Sequence, residues 1–113
     1  MLGEEDESPE YIGMIWRTMG MICDKTDDVV QFSDWETHQM GEYDAETCFG
    51  KSAAILMESE IELEHAHTLR EWAHYKIKSG DKKGGRNMWQ EAREIFAELG
   101  AQMEVERMKD TPE

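Results

Sequence analysis

The chain has 113 residues, of which 39% are hydrophobic and 34% are charged. A chain of this length forms one small domain, and this composition is typical of a folded protein with a heavily charged surface. The formal net charge of −14 opposes binding to the phosphates of nucleic acid and to an anionic membrane surface, because both require clustered lysine and arginine. We therefore expect no nucleic acid and no membrane as partner.

The chain contains two cysteines, Cys23 and Cys48. Two are too few for the disulfide framework of a small secreted fold, and neither a signal segment nor an apolar run long enough to span a bilayer is visible. The sequence therefore predicts a cytoplasmic protein. We interpret both cysteines as packing residues rather than reactive thiolates, and we find no phosphate-binding loop. The prediction is a protein that is not an enzyme and has no cofactor.

The chain begins with an acidic segment over residues 1–10, which contains Pro9 and has little to bury. This composition predicts a disordered leader. Apolar residues then recur at steps of three and four over residues 11–23, which predicts an amphipathic helix. Residues 24–41 break that pattern and are predicted as a long connector that folds back onto the helices, with a short extended piece or a helical turn.

Helical periodicity resumes after the connector. It predicts three longer helices and a short closing helix, over residues 43–59, 61–78, 82–99 and 101–109. The folded domain is expected to span residues 11–109, followed by a tail over residues 110–113. No segment alternates with period two over a convincing length, so the predicted fold class is all-α.

Two of the predicted helices are copies of one pattern. Residues 16–25 and 69–78 share a large apolar residue, an arginine, a second large apolar residue, a very small residue and a lysine, in that order. The matching positions, 53 residues apart, are Trp16 with Leu69, Arg17 with Arg70, Gly20 with Ala73 and Lys25 with Lys78. A repeated helix predicts a stacked helical array, which is typical of a binding scaffold.

Residues 66–101 resemble a tetratricopeptide repeat (TPR). The positions that carry the resemblance are Leu69, Trp72 and Ala73 in the first helix, Gly80 and Asp81 in the turn, and Gly85, Trp89 and Ala92 in the second helix. The same order of small, aromatic and small residues recurs as Ala45, Phe49 and Ser52. The ending, residues 91–101, resembles the last repeat in the C-terminal helical regions of bacterial signalling proteins such as adenylyl cyclases and regulatory ATPases.

The resemblance covers most of residues 11–109. It implies antiparallel helix pairs that stack as a short TPR-like solenoid with a C-terminal closing helix. The chain departs from the family in two respects: the copies are 53 residues apart rather than about 34, and the prolines usual between repeats are missing. Because stacked repeats need about three units to bury their ends, we expect a homodimer or a piece of a larger chain.

In such repeats the first helix of each pair lines a groove that binds peptides. The resemblance therefore implies a peptide-binding site made of Arg17, Met21, Lys25, His67, Arg70, His74 and Lys78. A pair of guanidinium groups can hold a carboxylate, so the expected partner is a protein segment that is acidic, or a chain terminus. The predicted function is a protein–protein interaction or regulatory scaffold. Ordinary surface cations would give the same pattern.

A second constellation supports an alternative function. Glu64, His67, Glu71 and His74 follow steps of three, four and three, and they contain the Glu-x-x-His spacing of metal proteins built on helical bundles. Carboxylate and imidazole ligands suit zinc or iron. The alternative prediction is therefore a metal-binding helical-bundle protein, and a solvated helix face with acid–imidazolium pairs explains the same residues.

Overall fold

The computed structural model describes residues 8–34 and 37–112. Within them the elements are α1 (Pro9–Thr26), β1 (Val30–Ser33), β2 (Met40–Tyr43), α2 (Ala45–Glu58), α3 (Glu62–Lys78), α4 (Lys82–Glu98) and α5 (Gln102–Arg107). The protein is mainly helical, with helices that pack against one another, and it also has a small two-stranded sheet that the sequence did not predict. Among the described helices, none has the length and apolar character needed to cross a membrane.

Helix α1 begins two residues earlier than the sequence predicts. The side chain of Ser8 accepts a hydrogen bond from the backbone N–H of Tyr11 at 3.3 Å, and Pro9 occupies the first turn, where its missing N–H costs nothing. Residues 9 and 10 of the predicted leader therefore belong to α1. The rest of that leader, residues 1–7, lies outside the described residues.

A β-hairpin occupies much of the predicted connector, residues 24–41, and extends to Tyr43, so the helix predicted to begin at residue 43 begins at Ala45 instead. Strands β1 and β2 pair antiparallel, with Val30 opposite Tyr43. The rings of Phe32 and Tyr43 lie 4.7 Å and 5.1 Å, centroid to centroid, from the buried ring of Trp16. The hairpin is thus held to α1 by aromatic packing, which explains how four-residue strands can persist without a larger sheet.

Small residues set the close packing of α1 against α2. A Cβ atom added to Gly13 would lie 2.6 Å from the side chain of Leu56, and one added to Gly20 would lie 2.9 Å from the ring of Phe49. The earlier glycine of α1 contacts the later residue of α2 and the later glycine contacts the earlier residue, so the two helices are antiparallel. Glycine at these positions lets the two helices approach closely.

Helices α3 and α4 form a second antiparallel pair of the same kind. His67 faces Phe96 and His74 faces Trp89, with ring centroids 5.0 Å and 6.3 Å apart. A Cβ atom on Gly85 would collide with Ile77 and would lie 2.9 Å from the backbone carbonyl oxygen of Ala73. The predicted small–aromatic–small positions therefore do lie at helix–helix contacts.

One turn geometry joins the last four helices. In each turn the third residue donates its N–H to a carbonyl near the end of the preceding helix, through Ile61 to Leu56, Asp81 to Lys76 and Ala101 to Phe96, at 2.8–2.9 Å. The middle residues have positive φ angles, which are 57° at Glu60, 112° at Gly80 and 79° at Gly100. This is the usual way in which a helix ends at a left-handed residue, and its repetition gives successive helices the same reversal.

Two buried clusters form the core, one around Trp16 and Phe49 and the other around Trp89 and Phe96. The side chain of Trp72 packs against both clusters. The helix pairs therefore share a continuous apolar interior.

A buried polar contact adds to this packing where α1, α2 and α3 meet. The hydroxyl of Ser52 donates to the carbonyl oxygen of Gly13 at 2.7 Å and lies 2.9 Å from the hydroxyl of Thr68. Since the single proton of Ser52 is used on Gly13, Thr68 is the donor in the second bond. Both hydroxyls are fully buried and satisfied, so the contact fixes the relative position of three helices.

The close approach at Gly85 predicts opposite effects for two glycine-to-alanine substitutions. Gly85→Ala should lower the free energy of unfolding by about 1–3 kcal/mol, because the new methyl meets backbone that cannot move aside. Gly50→Ala should raise it by about 0.5–1 kcal/mol, because its methyl would only touch Trp72 at 3.7 Å and alanine favours the helix. Urea unfolding followed by circular dichroism measures both. Stabilisation by both variants would contradict the packing described.

Candidate functional site

The first predicted arginine lies between two helices. Arg17 Nη1 donates to Glu64 Oε1 at 2.9 Å and to the backbone carbonyl oxygen of Glu64 at 3.2 Å. The two side chains are only 14% and 18% exposed. Arg17 is the ninth residue of α1 and Glu64 is the third residue of α3, so the pair joins the first helices of the two helix pairs.

The second arginine repeats this arrangement one unit further along. Arg70 is the ninth residue of α3, and its Nη1 donates to Oε1 of Glu104, the third residue of α5, at 2.5 Å. This hydrogen bond holds the pKa of Glu104 below its ordinary value. Arg70 Nη2 also lies 3.0 Å from His67 Nδ1, and its Nε lies 3.8 Å from Glu71. Both arginines predicted to hold a ligand carboxylate are therefore bound to carboxylates of the chain itself.

The two predicted lysines differ from each other. Lys78 Nζ lies 3.1 Å from Asp24 Oδ1, which makes a further link from α3 to α1. Lys25 is exposed, and across residues 8–34 and 37–112 we find no ion pair for it.

A glutamate partner for each arginine was not predicted. The sequence does contain one signal for these partners: Glu64 and Glu104 are 40 residues apart, which is also the separation of the equivalent aromatic residues Phe49 and Trp89.

A cavity of about 370 Å³ opens between α1 and α3, and we call it the apolar groove. Its lining residues are Thr18, Met21, Ile22, Asp24 and Lys25 from α1, Phe49 from α2 and Glu71 from α3. The side chains of Met21 and Ile22 are 41% and 43% exposed. Of the seven predicted site residues, the structure places Met21 and Lys25 on this groove. The other five, Arg17, His67, Arg70, His74 and Lys78, lie outside its lining.

A second cavity, of about 250 Å³, adjoins the apolar groove at Asp24, and we call it the acidic pocket. Its lining residues are Cys23, Asp24, Asp27, Asp28, Val29, Asp44, Ala45 and Tyr75. Asp44 caps α2, and its hydrogen bonds from Thr47 hold the pKa of Asp44 below its ordinary value. Asp28 accepts a hydrogen bond from the backbone N–H of Val29 at 2.7 Å. The lining residues come from three segments that are far apart in the sequence, so no local pattern predicts this pocket.

The two cysteines are buried and free. Burial raises the pKa of Cys48 to about 12 and also raises the pKa of Cys23. Cys23 donates a weak hydrogen bond to the carbonyl oxygen of Tyr43 at 3.4 Å. Both thiols are therefore neutral at physiological pH and act in packing, since the thiolate is the reactive form.

The four residues of the alternative metal site are engaged elsewhere. Glu64 binds Arg17, whereas His67 and Glu71 both contact Arg70. Across residues 8–34 and 37–112, no three His, Cys, Asp or Glu side chains are arranged to hold a metal ion. The predicted stripe of Glu64, His67, Glu71 and His74 thus does not converge on one point, because its members pair with arginines and pack on Trp89.

The chain matches no family model, no curated protein and no solved structure. Its resemblance to tetratricopeptide repeats therefore stays a prediction from the residues quoted above. The repeated turn, the repeated glycine contact and the repeated arginine–glutamate pair are features of the structure itself.

The environment of His67 predicts a pH-dependent stability. Burial, and after it the neighbouring Arg70, lowers the pKa of His67 below its ordinary value of 6.5, while Glu64 and Glu104 act in the opposite direction. Arg70 is a donor only, so Nδ1 of His67 must accept its hydrogen bond and must be unprotonated. Because folding lowers the pKa of His67, neutral His67 makes its full contribution to the free energy of unfolding above pH 6.5. That contribution is lost as the pH falls through the pKa of the folded state.

We therefore expect the wild-type free energy of unfolding to fall between pH 7.5 and pH 5.5, and His67→Gln to reduce that fall. Glutamine keeps a hydrogen-bond acceptor for Arg70 and cannot take up the proton. Chemical denaturation at a series of pH values measures both proteins. An equal fall in the two proteins would contradict the role given to His67.

Proposed function

We propose that this chain is a protein-interaction module that binds a peptide or a helix in the apolar groove. The groove itself is the observation that supports the proposal most strongly: its volume of about 370 Å³ is at the lower end for small ligand sites, and it holds one or two partner side chains. Met21 and Ile22 are exposed apolar side chains next to the buried ring of Phe49. Peptide recognition by helical grooves uses such apolar contacts as anchors.

The architecture that we propose is a short solenoid of the tetratricopeptide-repeat type. It is supported by the repeated three-residue turn and by the two arginine–glutamate pairs. In each pair the ninth residue of one helix binds the third residue of the helix two further along the chain, from α1 to α3 and from α3 to α5. The β-hairpin between α1 and α2 accounts for the departure in spacing, because it lengthens the first unit. In this architecture α1, α3 and α5 are the first helices, and their exposed faces form the binding surface.

The partner in this proposal binds differently from the sequence-based expectation. Arg17 and Arg70 are occupied by Glu64 and Glu104, so they position helices and do not meet a ligand carboxylate. Recognition then depends on an apolar partner side chain between α1 and α3. Methionine suits this task, because its flexible and polarisable side chain adapts to different partners.

Two methionine substitutions test the groove. Peptides selected by display on the wild-type protein should bind Met21→Glu about tenfold more weakly or worse, which is about 1.4 kcal/mol, because the carboxylate would have to be buried beneath the partner. Met57→Glu is the matched control, since Met57 is 69% exposed and lies in the last turn of α2, outside the groove. Its affinity should stay within about twofold of wild type.

Fluorescence anisotropy with labelled peptides gives both affinities, and circular dichroism verifies that the variants are folded. Equal affinity of wild type and Met21→Glu would contradict binding in the apolar groove. Equal weakening by Met57→Glu would show that added charge alone accounts for the effect.

A further inference from the structure

We propose that the partner is a cationic amphipathic segment, which places an apolar side chain in the apolar groove and a lysine or arginine in the adjoining acidic pocket. This inference rests on the proposed function and names the chemistry of its partner. It reverses the sequence-based expectation of an acidic ligand. Three observations support it: the two cavities share Asp24 in their linings, the acidic pocket contains carboxylates that have no lysine or arginine partner in the described part of the chain, and Tyr75 lines the acidic pocket.

The two cavities are close enough for one partner segment to enter both. Asp24 lines the apolar groove and also the acidic pocket. Met21 and Asp24 are three residues apart on α1, which corresponds to about 4.5 Å along the helix axis. Side chains three or four positions apart on a bound helix are about 5–6 Å apart. A partner helix with an apolar residue and a basic residue one turn apart therefore matches both cavities.

The acidic pocket carries negative charge that the described part of the chain does not neutralise. Asp24 pairs with Lys78, but Asp27, Asp28 and Asp44 have no lysine or arginine partner within residues 8–34 and 37–112. Asp27 and Asp28 also follow the C-terminus of α1, where the helix dipole adds negative potential. A carboxylate ligand would be repelled at this site, whereas an ammonium or guanidinium group would be attracted.

The pocket suits the cation of a side chain better than it suits a metal ion. In the described residues its carboxylates do not form a group of three that could hold a metal. Tyr75 lines the pocket beside Asp44, and an aromatic ring next to carboxylates favours lysine or arginine through cation–π attraction. The net charge of −14 further favours the approach of a cationic partner.

Two synthetic amphipathic helical peptides test this inference. They carry leucine at the same positions and differ only in having lysine or glutamate at all polar positions. The lysine peptide should bind the wild-type protein about tenfold more tightly or better, as measured by isothermal titration calorimetry. The double variant Asp27→Asn, Asp28→Asn should weaken binding of the lysine peptide about fivefold, because two charge contacts are lost.

A control with the same change in net charge separates a local site from a general attraction to an acidic protein. Glu94→Gln, Glu98→Gln removes two exposed carboxylates from α4, whose residues line neither cavity. This variant should bind the lysine peptide within about twofold of the wild-type affinity.

Equal weakening by the two double variants would overturn the inference, because the attraction would then be diffuse. Absence of binding by the lysine peptide, or equal or tighter binding by the glutamate peptide, would overturn it too. These failures differ from a failure of the proposed function, which would appear as undiminished binding of display-selected peptides to Met21→Glu. If the glutamate peptide binds the wild-type protein and binds Met21→Glu more weakly, binding in the apolar groove would be supported and a cationic partner would be contradicted.

Discussion

Two arginine–glutamate pairs link alternate helices, and the relative position of these helices depends on them. Arg17 reaches from α1 to α3, and Arg70 reaches from α3 to α5 in the same relation. Removing such groups from water costs free energy, and the pair is favourable only when the geometry is good and further hydrogen bonds are made. The extra bonds from Arg17 to the Glu64 carbonyl and from Arg70 to His67 meet that condition. The apolar groove opens between the same two helices, α1 and α3, with Thr18 and Glu71 in its lining.

The same pairs determine the charge that the surface offers to a partner. The chain has 12 lysine and arginine residues against 26 aspartate and glutamate residues, and each internal pair removes one charge of either sign, so the whole excess of carboxylates remains for the exterior. Arg17 and Arg70 are paired in this way between helices, whereas the Lys78 side chain is 62% exposed and pairs with Asp24 at the surface. The carboxylates at the end of α1 are then exposed next to an apolar opening. An internally paired scaffold with an acidic, partly apolar face is better suited to a basic amphipathic segment than to an acidic one.

The sequence predicts the four longer helices well, because each has three- and four-residue apolar periodicity over several turns, and the turn at Gly80 has a clear signal. The hairpin was not predicted because its strands have only four residues each. Their burial alternates with period two, but so short a run does not separate a strand from a connector, and Phe32 and Tyr43 are placed by contact with Trp16. Met21 and Lys25 are both exposed on α1 and line the apolar groove, and their role in binding stays a prediction. The ion pairs of the two arginines were not predicted. Arg17 and Glu64 are 47 residues apart, and a local sequence pattern does not show whether an arginine on a helix contacts a distant carboxylate or solvent.

The relative position of α1 and α3 depends on the contact between Arg17 and Glu64, and a double-mutant cycle tests that contact most directly. With Arg17→Gln and Glu64→Gln, the free energies of unfolding should show a coupling of about 0.5–1.5 kcal/mol, as expected for a partly buried, hydrogen-bonded pair. The matched cycle of Arg17→Gln with Glu104→Gln should be additive within about 0.3 kcal/mol, because Glu104 pairs with Arg70 instead. Additivity in the first cycle, or equal coupling in both cycles, would contradict the account.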